Sequence, residues 1–191
     1  TSARSQNGVY SVPIEGSSSN IVLYGLSLHD FGVHNGNSPI KTSGKGVVNL
    51  TFENSAIIRS LARPVSDTGS DFVTFHNNWF ENISDQGAIV VMGDEVSQNW
   101  AIHGNVFWES DPTKYGVNEG LIQCGNQMNC QGWRIVNNTI VNFTNERSKY
   151  SHINFDLAHP SSSDNRAFNN IWFNCANPGI FGPGLESDYN M

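Results

Sequence analysis

Apolar residues come in short runs broken by Asn, Gly, Ser and Asp, and no eleven-residue window shows the i, i+3, i+4, i+7 recurrence of an amphipathic helix. β-branched and aromatic residues fill the runs, which predicts short strands. One phrase recurs: apolar, polar, Asn or Gly, Asn, variable, large apolar, variable, polar. Its clearest copies are Phe75-His76-Asn77-Asn78-Trp79-Phe80-Glu81-Asn82, Ile102-His103-Gly104-Asn105-Val106-Phe107-Trp108-Glu109, Ile135-Val136-Asn137-Asn138-Thr139-Ile140-Val141-Asn142 and Ala167-Phe168-Asn169-Asn170-Ile171-Trp172-Phe173-Asn174. Weaker copies begin at Leu23 and Phe52.

Aligned, the six phrases give a column of Gly25, Asn54, Asn77, Gly104, Asn137 and Asn169, then one of Leu26, Ser55, Asn78, Asn105, Asn138 and Asn170. Both columns favour residues that tolerate a left-handed backbone, so a tight bend is expected there. A further column, Leu28, Ile57, Phe80, Phe107, Ile140 and Trp172, reads as an inward stack. The steps between copies are 29, 23, 27, 33 and 32 residues, so loops of variable length are inserted into a constant coil. A second apolar run precedes most phrases, at Val9–Ile14, Gly87–Met92, Gly120–Cys124 and His152–Leu157. A coil with two or three short strands cannot bury its own apolar face and must rest on its neighbours. The expectation is an all-β, single-domain parallel β-helix, a solenoid of about six coils over residues 1–191, with 176–191 a C-terminal loop or cap. Asn54, Asn77, Asn78, Asn105, Asn137, Asn138, Asn169 and Asn170 are expected to stack as a hydrogen-bonded ladder.

The phrases, above all Phe75 to Asn82 and Ile135 to Phe143, resemble the right-handed parallel β-helix repeats of pectin-lyase-like proteins, over most of Asn20 to Cys175. The resemblance implies that fold and leaves function open, because such proteins include polysaccharide lyases, glycoside hydrolases, epimerases, tailspikes, adhesins and noncatalytic structural proteins. The paired-aspartate and Gly-His-Gly segments of polygalacturonases and the Asp-Pro-His-Glu segment of mannuronan epimerases do not occur; Asp156-Leu157-Ala158-His159-Pro160 has the wrong order.

Composition sharpens this picture. Among 191 residues there are 25 asparagines and 18 glycines but only 10 Lys plus Arg, so asparagine replaces charge as the main polar residue. The net charge of −7 and the lack of a basic run count against nucleic acid as a partner. No stretch reaches the roughly 18 apolar residues of a membrane span, and Thr1 to Gln6 contain no signal-peptide core. Sequons begin at Asn49, Asn82, Asn137 and Asn142, and Cys124 and Cys130 enclose a turn-rich loop that a bridge can close, which together favour an extracellular, glycosylated protein. Cys175 is expected as a buried thiol.

Candidate chemistry is sparse. If Ile89, Ile122 and Ile153 point inward, Ala88, Leu121 and His152 form one outward column and Val90, Gln123 and Asn154 the next. That largely neutral face suits packing against another surface better than gripping a charged sugar. His76 and His103 share a column with Glu53, an arrangement able to bind a metal or shuttle a proton but read as a solvated ladder; no metal or cofactor is assigned. Arg134, Arg147, Lys149 and Asp156 are the best acid–base set if the chain is an enzyme, and Trp108, Tyr115 and Tyr150 are candidates for stacking on sugar rings. The leading expectation is a structural module that self-assembles into a fibre or sheath as a homo-oligomer. The alternatives are a carbohydrate-active enzyme, a lyase or a hydrolase, and a glycan-binding or adhesin module.

Overall fold

The computed structural model describes residues 12–15, 17–31, 38–43, 47–61, 63–85, 87–93, 95–117, 120–125, 127–144, 152–155, 158–176 and 178–191. Among them there is no helix, and every strand pairing is parallel. Three sheets run along a solenoid. The first takes Val12–Glu15, Ile40–Ser43, Val65–Asp67, Ile89–Met92, Ile122–Gly125, Ile153–Asn154 and Ile180–Phe181 in chain order. Each coil then passes through the second sheet, turns a corner and enters the third. In the best-formed coil these two strands are Asp71–His76 and Trp79–Asp85.

The corners explain the asparagine content. Three vertical columns of residues adopt φ between 48° and 69°. Asn20, Asn49, Phe72, Asn99, Gly132, Asp164 and Gly184 bend the chain within or before the second sheet. Gly25, Asn54, Asn77, Gly104, Asn137, Asn169 and Tyr189 turn it from the second sheet to the third, and Asp30, Arg59, Asn82, Asn142 and Asn174 bend it again within or after the third. Ten of the sixteen described non-glycine residues with positive φ are asparagine, the side chain that best tolerates the left-handed region after glycine. Asn99 and Gly132 break the second-sheet pass of their coils in two, into Val96–Gln98 and Ala101–His103, and into Asn129–Gln131 and Arg134–Val136.

The two adjacent columns expected to share one role divide it. Asn54, Asn77, Asn137 and Asn169 supply the left-handed backbone, whereas the ladder is built by Asn78, Asn105, Asn138 and Asn170, all at most 2% exposed. Each rung repeats the same bonds. Asn105 Nδ2 donates to Asn138 Oδ1 and to Phe75 O, both at 3.0 Å, and Asn105 N donates to Asn138 Oδ1 at 3.0 Å. Ser55 replaces the amide at one end, accepting from Leu26 N at 3.0 Å, and Asn190 adds a rung at the other by accepting from Asn170 N at 2.9 Å.

Asn190 lies just past the last strand of the chain, Leu185–Asp188. Segment 176–191, expected as a loop or cap, contains strands Ile180–Phe181 and Leu185–Asp188, which extend the first and second sheets. Their short length and the glycines and proline around them hid them from pattern reading.

Inside, like stacks on like. Leu28, Ile57, Phe80, Phe107, Ile140 and Trp172 pair in register, with Phe80 and Phe107 stacked at 4.9 Å. Ile40, Val65, Ile89, Ile122 and Ile153 form the first-sheet column, each at most 1% exposed. Trp100 and Trp133 stack at 4.6 Å and 5°.

Phe72, like Arg59 and Tyr189, is a bulky residue at a left-handed corner, with φ 56° and 52% exposed. A left-handed conformation costs an ordinary L-residue roughly 1–2 kcal/mol, less for Asn. Phe72→Asn is therefore expected to raise the unfolding free energy by about 0.5–1 kcal/mol, read as a higher urea midpoint with an unchanged m-value.

Candidate functional site

The first-sheet register places Ile89, Ile122 and Ile153 inward as expected, but the columns beside them are not open. Ala88, Val90 and Leu121 are 0% exposed, and Gln123, His152 and Asn154 at most 2%. Phe143, on the connection leaving the third sheet, lies edge-on to the His152 ring at 5.9 Å. This face is covered by the chain itself and offers no docking surface, a fact that strand alternation could not reveal because it depends on inserted connections.

The second sheet's outer face mixes exposed Val22, Tyr24 and Phe72 with polar columns. His76 and His103 stack at 4.1 Å, with His76 Nδ1 3.9 Å from a Glu53 carboxylate oxygen. Burial and then the neighbouring His76 lower the pKa of His103. Among the described residues no group of three or more His, Cys, Asp or Glu side chains is arranged to hold a metal ion. Arg134 is engaged by Asp164, its Nη2 donating to Oδ2 at 3.0 Å, and Arg166 reaches Glu186 at 3.3 Å. Arg147, Lys149, Tyr150 and Asp156 lie outside the described residues.

The third sheet's outer face has a different composition. Its outward positions read Ala56 and Ile58, Trp79 and Glu81, Val106 and Trp108, then Thr139 and Val141 on successive coils, in register. Glu81 is the one charge among these eight residues. Trp79 is 36% exposed and Trp108 half-buried, their rings 5.5 Å apart at 70°. Trp79 Nε1 donates to Glu81 Oε2 at 3.0 Å, and the single Ser110 hydroxyl proton is shared between Asn82 Oδ1 at 3.0 Å and Glu81 Oε1 at 3.3 Å. Asn82 Nδ2 in turn donates to Ser110 Oγ at 2.8 Å. The indole ring and the carboxylate therefore hold each other in place. Trp108 is the last residue of strand Val106–Trp108 on this face, whereas Tyr115 is only 6% exposed and presents no ring to a ligand.

Beneath this face sits Glu109, 1% exposed, with Oε1 accepting from Asp111 N at 3.2 Å and Oε2 without a hydrogen-bond partner among the described residues. Burial pushes its carboxyl up to about 8, opposed by the Asp111 N–H and aided by the charges of Asp111 and Glu81. Burial alone pulls His152 down to about 4, and its Nδ1 also lacks a partner among the described residues. Only the structure exposes these two groups; in the sequence Glu109 reads as one more polar end of a phrase.

Their linkage to stability has opposite signs. Between its ordinary 4.5 and about 8, Glu109 holds a proton in the folded chain that the unfolded chain has lost, so stability falls as pH rises across that window. Between about 4 and its ordinary 6.5, His152 stays neutral when folded while the unfolded chain takes up a proton, so stability falls as pH drops there. The slopes offset each other from about 4.5 to 6.5 and leave an alkaline decline up to about 8. The expected melting temperature is flat across the first interval and lower at the end of the second; Glu109→Gln should abolish that decline in a calorimetric pH series.

Cys124 and Cys130 are joined by a disulfide with Cα atoms 6.5 Å apart, and both are fully buried. Cys175 is half-buried, its Sγ donating to Ile140 O and Phe173 O. Of the sequon asparagines, Asn49 and Asn137 are exposed, Asn142 is half-buried, and Asn82 is buried with its Nδ2 committed to Ser110. No family model, no curated protein and no solved structure matches this chain.

Proposed function

We propose that this chain is an extracellular, non-catalytic β-helix module of the pectin-lyase-like kind that holds a glycan on the outer face of its third sheet. The observation that carries the reading is the Trp79–Glu81–Trp108 arrangement, two partly exposed indoles around a hydrogen-bonded carboxylate on a parallel sheet. Aromatic bodies beside a polar acceptor are suited to ligands with both apolar and hydroxylated surfaces. The buried disulfide and the exposed sequons at Asn49 and Asn137 support an oxidising, secretory setting. Catalysis has less support, because Arg134 is tied to Asp164 and Glu109 is covered.

Self-assembly into a fibre or sheath is the second reading. What favours it is the apolar continuation of the same face to Ile171 and Phe173, 40% and 66% exposed. Binding to immobilised glycans without released products, from a species whose light-scattering mass does not grow with concentration, is the expected result. Product formation would select the enzyme reading, and concentration-dependent particles without glycan binding would select assembly.

A further inference from the structure

The third-sheet face resolves further into a ligand class, in an inference that rests on the glycan-binding reading above. A pyranose ring has a C–H face that seeks an aromatic surface and equatorial hydroxyls that seek acceptors near the ring edge. Trp79 and Trp108, at 70° to each other and 5.5 Å apart, form two walls of a corner on adjacent coils. Glu81 stands directly opposite Trp108 and two residues along the strand from Trp79. Its carboxylate has about four acceptor sites, of which the Trp79 indole and the shared Ser110 hydroxyl occupy two. The remaining acceptor capacity lies beside both rings. Because the Trp79–Glu81 bond already fixes the ring, little side-chain freedom is lost when a ligand docks.

Charge selects among sugars. A carboxylate at the centre of the patch with no salt-bridge partner among the described residues, on a chain of net charge −7, repels uronates and sulfated sugars. A second copy of this chain is also disfavoured as the occupant. Face-to-face packing would bury Glu81 among Ile58, Val106 and Val141, and the neighbouring Arg59 is already engaged with Asp30, its Nε at 2.6 Å from Oδ1. Removing a carboxylate from water without a cation is strongly unfavourable. Sugar hydroxyls satisfy it instead.

We propose that Trp79, Trp108 and Glu81 form a subsite for an uncharged pyranose unit of a polysaccharide. The test titrates the full chain with hexasaccharides of four neutral kinds, β-1,4-glucan, β-1,3-glucan, β-1,4-xylan and β-1,4-mannan, and with hexagalacturonate, read by calorimetry and tryptophan fluorescence. At least one neutral ligand is expected to bind, and hexagalacturonate at least about tenfold more weakly. Trp79→Ala and Trp108→Ala should each weaken neutral binding by about tenfold or more, and Glu81→Gln by a smaller factor. Phe72→Asn, on the second sheet, serves as the control with unchanged affinity, and the melting temperature of each variant reports whether it folds. Neutral binding that survives both tryptophan substitutions overturns the subsite while leaving a glycan-binding module standing. Binding of hexagalacturonate alone overturns the neutral subsite and leaves a glycan-binding module standing, and failure of all five ligands overturns both. Concentration-dependent association that Trp79→Ala abolishes gives the face to a second copy and likewise overturns the subsite.

Discussion

Replacing Asn105 by alanine is expected to lower the unfolding free energy by about 2–4 kcal/mol, the cost of leaving one buried backbone N–H unpaired and losing the other amide hydrogen bonds of the rung. Asn105 Oδ1 accepts from Asn78 N at 2.9 Å and from Asn78 Nδ2 at 3.0 Å, while Asn105 Nδ2 donates to Phe75 O. Truncation orphans Asn78 N–H inside a stack that is 0% exposed at this rung, while Phe75 O loses its amide donor and keeps its place in the ladder with Ala101–His103. Asn105→Ser should cost less, because Ser55 already serves as a rung by accepting from Leu26 N and donating to Glu53 O. The neighbouring corner offers a contrast. Asn77 is exposed at φ 53°, and Gly25 and Gly104 occupy the same position on other coils. Asn77→Gly is expected to change stability by only a few tenths of a kcal/mol. Urea unfolding of the three variants measures the difference, and an Asn105→Ala cost below about 1 kcal/mol would contradict the role of the ladder.

Truncating Trp100 to alanine should be comparably severe, with about 3–5 kcal/mol lost to the cavity and to forfeited contacts. The side chain is 1% exposed, stacks on Trp133 at 4.6 Å and lies 5.9 Å from Phe75. Its Nε1 also donates to Ser70 O at 2.9 Å. Trp100→Phe keeps much of the stack and loses the hydrogen bond, so its expected cost of about 1–2 kcal/mol separates the two contributions. Ser97 Oγ still reaches Ser70 O at 3.3 Å, which limits the loss. Thermal and urea denaturation of both variants provide the check. If the alanine variant proved as stable as the phenylalanine variant, the column would not behave as a close-packed stack.

The repeat was legible because a solenoid translates fold into sequence directly. Successive coils meet in register at about 4.8 Å, so each stacked position sees nearly the same surroundings and calls for the same kind of residue. That is why Leu28, Ile57, Phe80, Phe107, Ile140 and Trp172 could be aligned by phrase and then found paired. Two adjacent columns of Asn and Gly looked alike in sequence, yet one needed an unusual φ and the other an amide. Chemistry that serves two demands equally well does not announce which demand is being met. The second-sheet bend at Asn20, Asn49, Asn99, Gly132 and Asp164 lay outside the recurring phrase and was missed, although its residue types carried the signal.

The candidate site was less legible. Trp79 and Trp108 stood in the variable positions of the phrase, and only register brings them onto adjacent coils with Glu81 between. The first-sheet columns were assigned the correct register and the wrong exposure, since alternation tells which way a side chain points but not what the intervening connections lay over it. His152 depends on that same covering and Glu109 on its burial beside the third sheet, and burial sets both proton affinities.

By itself the sequence determined the all-β class, the parallel stacking, the corner between the second and third sheets and the inward columns, because each repeats down the chain and local backbone and packing demands repeat with it. Tertiary structure alone decided which outer face stays open and which residues meet across coils. Those outcomes depend on variable connections, which share no repeating constraint and so leave no pattern to read.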